Sequence, residues 1–91
     1  MKKNKPENIF CRVCGLESQI DNPPWYDEES PSHDICPCCG VQFGYEDDSY
    51  EGVVDYRKHW LNQNGKWFSR GMCPKDWNLE SQLRNIPDRW K

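Results

Sequence analysis

Two short segments decide how this chain can fold: CRVCG at residues 11–15 and CPCCG at residues 36–40. In each, two cysteines stand three positions apart and a glycine follows the second. A tight turn that aims two thiolates at one ion often needs positive φ just after the second cysteine, and glycine adopts that conformation without steric cost. Because two such turns supply four sulfur ligands, the sequence predicts one metal site. Its ligands are Cys11, Cys14, Cys36 and Cys39.

The expected ion is Zn2+. Four thiolates form the closed tetrahedral cage that zinc prefers, and zinc is available and redox-silent. Iron in the same cage is the alternative. Bound zinc would add folding free energy on the order of 10 kcal/mol. Cys38 and Cys73 do not belong to the four predicted ligands, and we expect both to be free thiols outside the cage.

The composition indicates why such a cross-link is needed. The chain has 91 residues, enough for one structural domain. Leu, Ile, Val and Phe together number 15, fewer than the fifth of a chain that ordinarily builds a core. Five Trp and four Tyr still favour a folded chain over a disordered one. We therefore expect a metal-stabilised fold in which aromatic rings replace part of the aliphatic interior.

The N-terminal residues indicate the compartment. They carry lysines but no apolar stretch of the kind a secretory signal has, and no later run is long enough to span a bilayer. We expect a cytoplasmic protein with a flexible basic N-terminus at residues 1–8. Cytosolic thiols are kept reduced, which favours metal ligands over disulfides for the regularly spaced cysteines.

Charge is distributed very unevenly along the chain. Residues 13–56 hold eleven Asp and Glu and no Lys or Arg, whereas residues 57–91 hold eight Lys and Arg against three Asp and Glu. Partial neutralisation of one block by the other is the simplest expectation. An acidic surface that includes Asp47, Asp48, Glu28 and Glu29 would suit a partner protein with a basic surface. The C-terminal block mixes cations with Trp and Phe, so nucleic-acid binding there is an alternative, which we favour less than a protein partner.

The hydrophobic pattern changes from strand-like to helix-like along the chain. Alternating Val41, Phe43 and Tyr45 predict a half-buried strand, so residues 9–46 are interpreted as a ribbon of short antiparallel strands. Residues 47–91 are interpreted as a helical part packed on that ribbon. Its first helix is predicted to begin at a capping pair, Asp48 and Glu51.

Apolar spacing defines the two helices. In the first, the apolar positions at helical spacing are Val53, Tyr56, Trp60 and Leu61, and the helix is expected to end near Asn64-Gly65. The second and shorter helix is predicted to start after Asn78 as cap and to stop at Pro87. Its apolar positions are Leu79, Leu83 and Ile86.

The cysteine pattern also resembles known families. C-x2-C-G followed by C-P-x-C-G is similar to the rubredoxin-like zinc ribbons. The run His33-Asp34-Ile35 before the second turn, with an aromatic residue and acids at 45–48 after it, resembles the short bacterial cysteine-rich CPCC-type proteins. That resemblance implies a small metal-binding bacterial protein without an assigned activity. The first turn departs from it, with Arg12 where those proteins tend to have proline.

These observations lead to one interpretation of the whole chain. We expect a small α+β fold, a rubredoxin-like zinc ribbon of short antiparallel strands followed by two short helices. No motif of a catalytic site or phosphate-binding loop is present, so we expect a non-enzymatic protein-interaction module that acts through its acidic surface. The alternatives are a rubredoxin-like iron electron carrier and a protein that binds nucleic acid through its basic, aromatic C-terminal part. No membrane association is expected.

Overall fold

Short turns, rather than long strands or helices, make up most of the fold. The computed structural model describes residues 5–91, in which strand β1 (Trp25–Asp27) pairs antiparallel with strand β2 (Ser30–Pro31). Helices α1 (Tyr50–Asn62) and α2 (Leu79–Leu83) follow. Single turns of 3-10 helix occur at Glu7–Ile9, Arg70–Met72 and Asp88–Trp90. Of the N-terminal segment predicted to be flexible, residues 1–4 lie outside the described residues.

The ribbon predicted for residues 9–46 is reduced to isolated bridges and one small hairpin. Residues on either side of each cysteine turn meet in a single antiparallel bridge, Phe10 with Glu17 and Ile35 with Gln42. The β1–β2 hairpin lies between the two turns in sequence. Each pair of cysteines therefore sits at the tip of a minimal hairpin.

The strand predicted from Val41 to Tyr45 does not form. Val41 and Phe43 are buried as the alternation predicts, but Tyr45 is 72% exposed. Gly44 has φ +93°, and Tyr45 N–H donates to the carbonyl of Gln42, so the chain turns instead of extending. The prediction was wrong because local turn geometry at a glycine overrides the period of two.

The N-cap of helix α1 lies one residue after the predicted cap, Asp48. The Ser49 hydroxyl accepts the Gly52 N–H at 3.1 Å, so Ser49 is the N-cap and the predicted Asp48–Glu51 pair is not. Gly52 lies so close to the carbonyl of Glu46 that a β-carbon there would overlap it. The cap is thus Ser49, a residue type preferred at this position, and the 46–49 loop packs against the first helical turn.

The buried face and the end of α1 agree with prediction in part. Val53 and Trp60 are buried, but Leu61 is 37% exposed and does not belong to the buried face. The helix ends at Asn62. Asn64 and Gly65 both have φ of 65°, so the chain leaves the helix through left-handed residues, as the sequence predicts. Gly65 packs against the side chains of Leu79 and Trp60.

Helix α2 is short and starts as predicted. The Asn78 side-chain oxygen accepts the Ser81 N–H at 2.9 Å, and Ile86 beyond the helix is buried. Its most buried helical side chain is Gln82, a polar residue outside the predicted apolar positions.

The core consists of cysteines, valines and large aromatic rings. Five cysteines belong to one buried cluster with Trp25, Trp60 and Trp67, and the partly buried Trp77 and Trp90 pack against it. The radius of gyration is 12.3 Å, as expected of a compact domain of this length. None of the helices within residues 5–91 has the length and apolar character needed to cross a membrane.

The cap assignment can be tested with two variants of the protein. Ser49→Ala should cost about 1 kcal/mol, because the Gly52 N–H loses its acceptor, and should lower Tm by about 4–8 °C. Asp48→Ala should have a smaller effect, since it removes only the favourable interaction of an exposed acid with the helix dipole. A larger loss for Asp48→Ala than for Ser49→Ala in thermal melts would identify Asp48 as the cap after all.

Candidate metal centre

The two cysteine turns have the same backbone hydrogen bonds. In the first, Cys11 N–H donates to Leu16 O and Gly15 N–H to Cys11 O, both at 2.9 Å. In the second, Cys36 N–H donates to Val41 O at 2.8 Å and Gly40 N–H to Cys36 O at 2.9 Å. Both bonds of the first turn recur 25 positions later. The two segments therefore form equivalent turns, and each brings its two cysteines to the same side.

The turns place the four predicted sulfurs together. All four side chains are buried, and their Sγ atoms lie within 4.8 Å of one another. Cys11 Sγ is 3.8 Å from Cys39 Sγ, and Cys14 Sγ is 3.7 Å from Cys36 Sγ. A tetrahedron with metal–sulfur bonds of about 2.3 Å has edges of about 3.8 Å. The cluster is therefore positioned to bind a metal ion, with no protein atom required to move far.

Electrostatics within the cluster also favour a cation. Burial raises the pKa of the Cys11, Cys14 and Cys39 thiols, whereas hydrogen bonds from those thiols lower the pKa of Cys36. A divalent ion would stabilise all four thiolates together. Burial, together with the nearby thiolates, raises the pKa of Tyr56 to about 12.

The other candidate ligands lie outside the cluster. Cys38 is fully buried, and its sulfur accepts the Gln82 Nε2–H at 3.2 Å. Cys73 is partly buried and donates to the carbonyl of Pro74. His33 is exposed. The four cysteines that the structure brings together are thus the four named from the sequence, and their role as metal ligands stays a prediction.

Arg12, inside the first cysteine turn, has a structural role that the sequence did not reveal. Its guanidinium is 3.7 Å from the ring centroid of Trp25 and 4.2 Å from that of Trp90, so it contacts two indole rings. Nη1 also donates to the carbonyl of Asp47 at 3.0 Å. Arg12 thus joins the first cysteine turn to β1 and to the C-terminal 3-10 turn (Asp88–Trp90). These contacts are with residues distant in sequence, so no local motif encodes them.

Asp47 is buried, contrary to its predicted place on the acidic surface. Its carboxylate accepts Trp25 Nε1–H at 2.9 Å and Gly44 N–H at 2.7 Å. Burial raises the pKa of Asp47, and these two donors oppose the shift. Asp47 fixes the orientation of Trp25, and through Trp25 that of Arg12.

Two further side chains bind the backbone of the first cysteine turn. Arg57 on α1 donates to the carbonyls of Val13 and Arg12 at 2.7 and 2.8 Å. Gln82 on α2 donates to the carbonyl of Cys14 at 3.2 Å, and its side-chain oxygen accepts Trp77 Nε1–H. Both helices thus bind directly to the turn that supplies Cys11 and Cys14.

Two proteins of Bacillus subtilis (strain 168) are similar to this chain. YozI is 30% identical over 95 aligned positions, which cover 88% of this chain and 74% of YozI. The chain belongs to the YozI family. YoaQ is 47% identical over 65 aligned positions, which cover 56% of this chain and 55% of YoaQ, so the chain spans about half the length of that relative. No model of a known protein family matches the chain, and no solved structure does.

Both relatives are described only as uncharacterized proteins. The comparisons thus assign the chain to a family of bacterial relatives and supply no activity. The finer resemblance to rubredoxin-like ribbons and CPCC-type proteins stays a prediction.

In this member of the YozI family, the glycine of the first cysteine turn is also a packing site. Gly15 has φ +84°, and a β-carbon there would overlap the carbonyl of Gln82 and lie 3.1 Å from Ile86 N. Glycine is therefore needed for the conformation of the turn and for the close approach of α2.

Replacement of Gly15 should be far more costly than replacement of a glycine elsewhere. Gly15→Ala should lose on the order of 3 kcal/mol of stability, from the strained φ and the overlap with α2. Gly71 is the matched control because a β-carbon there would have no heavy atom within 4 Å, and Gly71→Ala should change stability by less than about 1 kcal/mol. Urea unfolding of both variants measures the difference, and equal losses would contradict this account of the turn.

Proposed function

We propose that this protein is a non-enzymatic interaction module, held together by one structural zinc ion on Cys11, Cys14, Cys36 and Cys39. The observation that carries the proposal is the buried group of four sulfurs within 4.8 Å of one another, with two edges near the tetrahedral value for zinc. Structural zinc sites are closed by four protein ligands, whereas catalytic ones keep a position open for water. Four sulfurs leave no such position here.

Zinc is preferred over iron because of what the fold needs from the ion. The core has few aliphatic side chains, and the turns that carry the ligands are held by single bridges. A structural ion has to hold these turns together permanently. Zinc suits that role because it does not change its oxidation state. The rubredoxin-like electron carrier is the alternative, and it requires iron in the same four-sulfur cage.

Metal analysis tests this part of the proposal. Native mass spectrometry should find one zinc per chain, and a strong chelator should unfold the protein, because metal binding and folding are coupled. Cys14→Ser should lose the ion, whereas Cys73→Ser should retain it and melt as the parent does. A red protein containing iron would support the electron carrier instead, and a Cys14→Ser chain with full zinc content would refute the assigned ligands.

The acidic surface is the part proposed to bind a partner. Among described residues, only Glu17 and Glu28 of the eleven acids in the acidic block form ion pairs, with Lys5 and Arg89. The two charge blocks therefore neutralise each other little. Asp47, being buried, is not part of this surface.

Two exposed acids, Asp48 and Asp55, and the half-buried Glu46 lie along one cleft beside the start of α1. Its volume is about 370 Å³, and Tyr45, Glu46, Asp48 and Asp55 line it. None of these acids is paired with a described cation, and the Tyr45 ring is exposed. Unpaired carboxylates beside an exposed aromatic ring suit a basic peptide segment, whose cations can bind both. We therefore propose that the partner contacts this acidic cleft through lysines or arginines.

Matched charge removals test the acidic cleft. Asp48→Asn/Asp55→Asn should weaken binding of a lysine-rich peptide at low salt by about five-fold, because two charge contacts are lost. Asp21→Asn/Glu29→Gln removes the same total charge away from the cleft and should have little effect. Fluorescence anisotropy measures both. Equal weakening by the two pairs would indicate attraction by net charge alone and would reject the cleft.

A further inference from the structure

A second groove on the molecule has the opposite chemistry. It lies between α1 and the segment 66–70 and has a volume of about 600 Å³, within the range of ligand-binding clefts. Its lining contains aromatic rings, cations and one amide side chain, and no described carboxylate. The residues are Cys39, Tyr56, His59, Trp60, Gln63, Lys66, Trp67, Phe68 and Arg70.

One wall of the groove presents a row of alternating exposed residues. Lys66, Phe68 and Arg70 are exposed, and Trp67 between the first two is buried. Phe68, which is 61% exposed as a residue, is flanked by a cation two positions away on each side. Neither Lys66 nor Arg70 forms an ion pair with a carboxylate of residues 5–91. Both positive charges are therefore available to a ligand.

The second cysteine turn holds this row in place. Phe68 N–H donates to the carbonyl of Cys38 at 2.9 Å, and Ser69 N–H donates to that of Pro37 at 2.8 Å. The Phe68 ring packs over Gly40, where a β-carbon would lie 3.0 Å from it. The aromatic face is therefore preorganised, so a ligand that stacks on it does not bear the cost of ordering the segment.

The opposite wall, from α1, supplies polar groups of the kind that contact nucleobase edges. Gln63 offers an amide that donates and accepts, and His59 an imidazole. Trp60 at the base of the groove is fixed, because its Nε1–H donates to the carbonyl of Lys66 at 2.9 Å. A flat ring, two free cations and a bifunctional amide thus border one concave surface within the described part of the chain.

We propose that this groove binds a segment of single-stranded nucleic acid, with a base stacked on Phe68 and phosphates bound by Lys66 and Arg70. Stacking on aromatic rings beside cations is how proteins bind single strands, whereas duplexes keep their bases stacked on each other. An acidic peptide would use the cations but gains less from a preorganised aromatic face. The acidic block, which repels phosphate, restricts the strand to this groove. This inference is independent of the acidic cleft proposed above.

The experiment is anisotropy titration of the zinc-loaded full chain with a short labelled oligodeoxythymidine at several salt concentrations. Phe68→Leu keeps the apolar packing on Gly40 but removes the flat ring, and should weaken binding about ten-fold, whereas Phe68→Trp should retain it. Lys66→Gln and Arg70→Gln should each reduce the slope of log affinity against log salt by about 0.7. Tyr26→Ala, which removes an exposed ring outside the groove, and Lys75→Gln are the controls and should behave as the parent does.

Several results would overturn the proposal. Absence of binding at low salt, unchanged affinity in Phe68→Leu, or equally tight binding of duplex DNA would each do so. Poly-glutamate that binds as tightly as the oligonucleotide, with the same response to the variants, would identify the groove as a site for acidic polypeptides. Thermal melts of every variant confirm that the compared proteins are folded.

Discussion

The approach of two equivalent cysteine turns, until their four sulfurs share one small volume, is the constraint on which the fold depends. Each turn is closed by a single bridge, and the hairpin and helices are short. The other segments then pack against these turns: α2 on Gly15, residues 66–70 on Gly40, and the C-terminal turn on Arg12. In most domains of this length an aliphatic core brings such segments together. Here the cysteine cluster and the tryptophans around it take that role.

Two arginines, one buried and one half-buried, belong to or contact the first cysteine turn. Arg12 and Arg57 donate to backbone carbonyls, and neither forms an ion pair with a carboxylate in the described chain. Burial lowers the pKa of both guanidinium groups. The charge of Asp47 is the main opposing influence on Arg12 and that of Tyr50 on Arg57, with a smaller contribution from Cys11 in each case. Four thiolates around a divalent ion carry a formal charge of −2, so two guanidinium groups nearby would balance the site. Loss of the ion would change this balance as well as the geometry.

How much could be predicted from the sequence depended on the sequence distance between interacting residues. The cysteine turns, their glycines with positive φ, the Asn78 cap and the end of α1 depend on near neighbours in sequence, and all were predicted. The burial of Asp47, the stacking of Arg12 and the contacts of Gln82 join residues that are distant in sequence, so no local pattern indicates them. The predicted strand and the Asp48 cap failed for a different reason, because the contacts that decide these two places are local. At both places the folding of the 44–52 segment onto itself, with Gly44 against Asp47 and Gly52 against Glu46, overrode a plausible periodic or capping pattern.

Helix α1 separates the two proposed binding surfaces while contributing to both. Asp55 in its first half and Glu46 and Asp48 just before its start line the acidic cleft, and its second half faces the groove of aromatic rings and cations. Tyr56 and His59 line both depressions, so the two surfaces adjoin each other on one rigid element. Ligands of opposite charge at the two surfaces would attract each other electrostatically rather than compete. The uneven charge of the sequence is thus consistent with two neighbouring surfaces of opposite specificity, each supported by one part of a fold built around the cysteine turns.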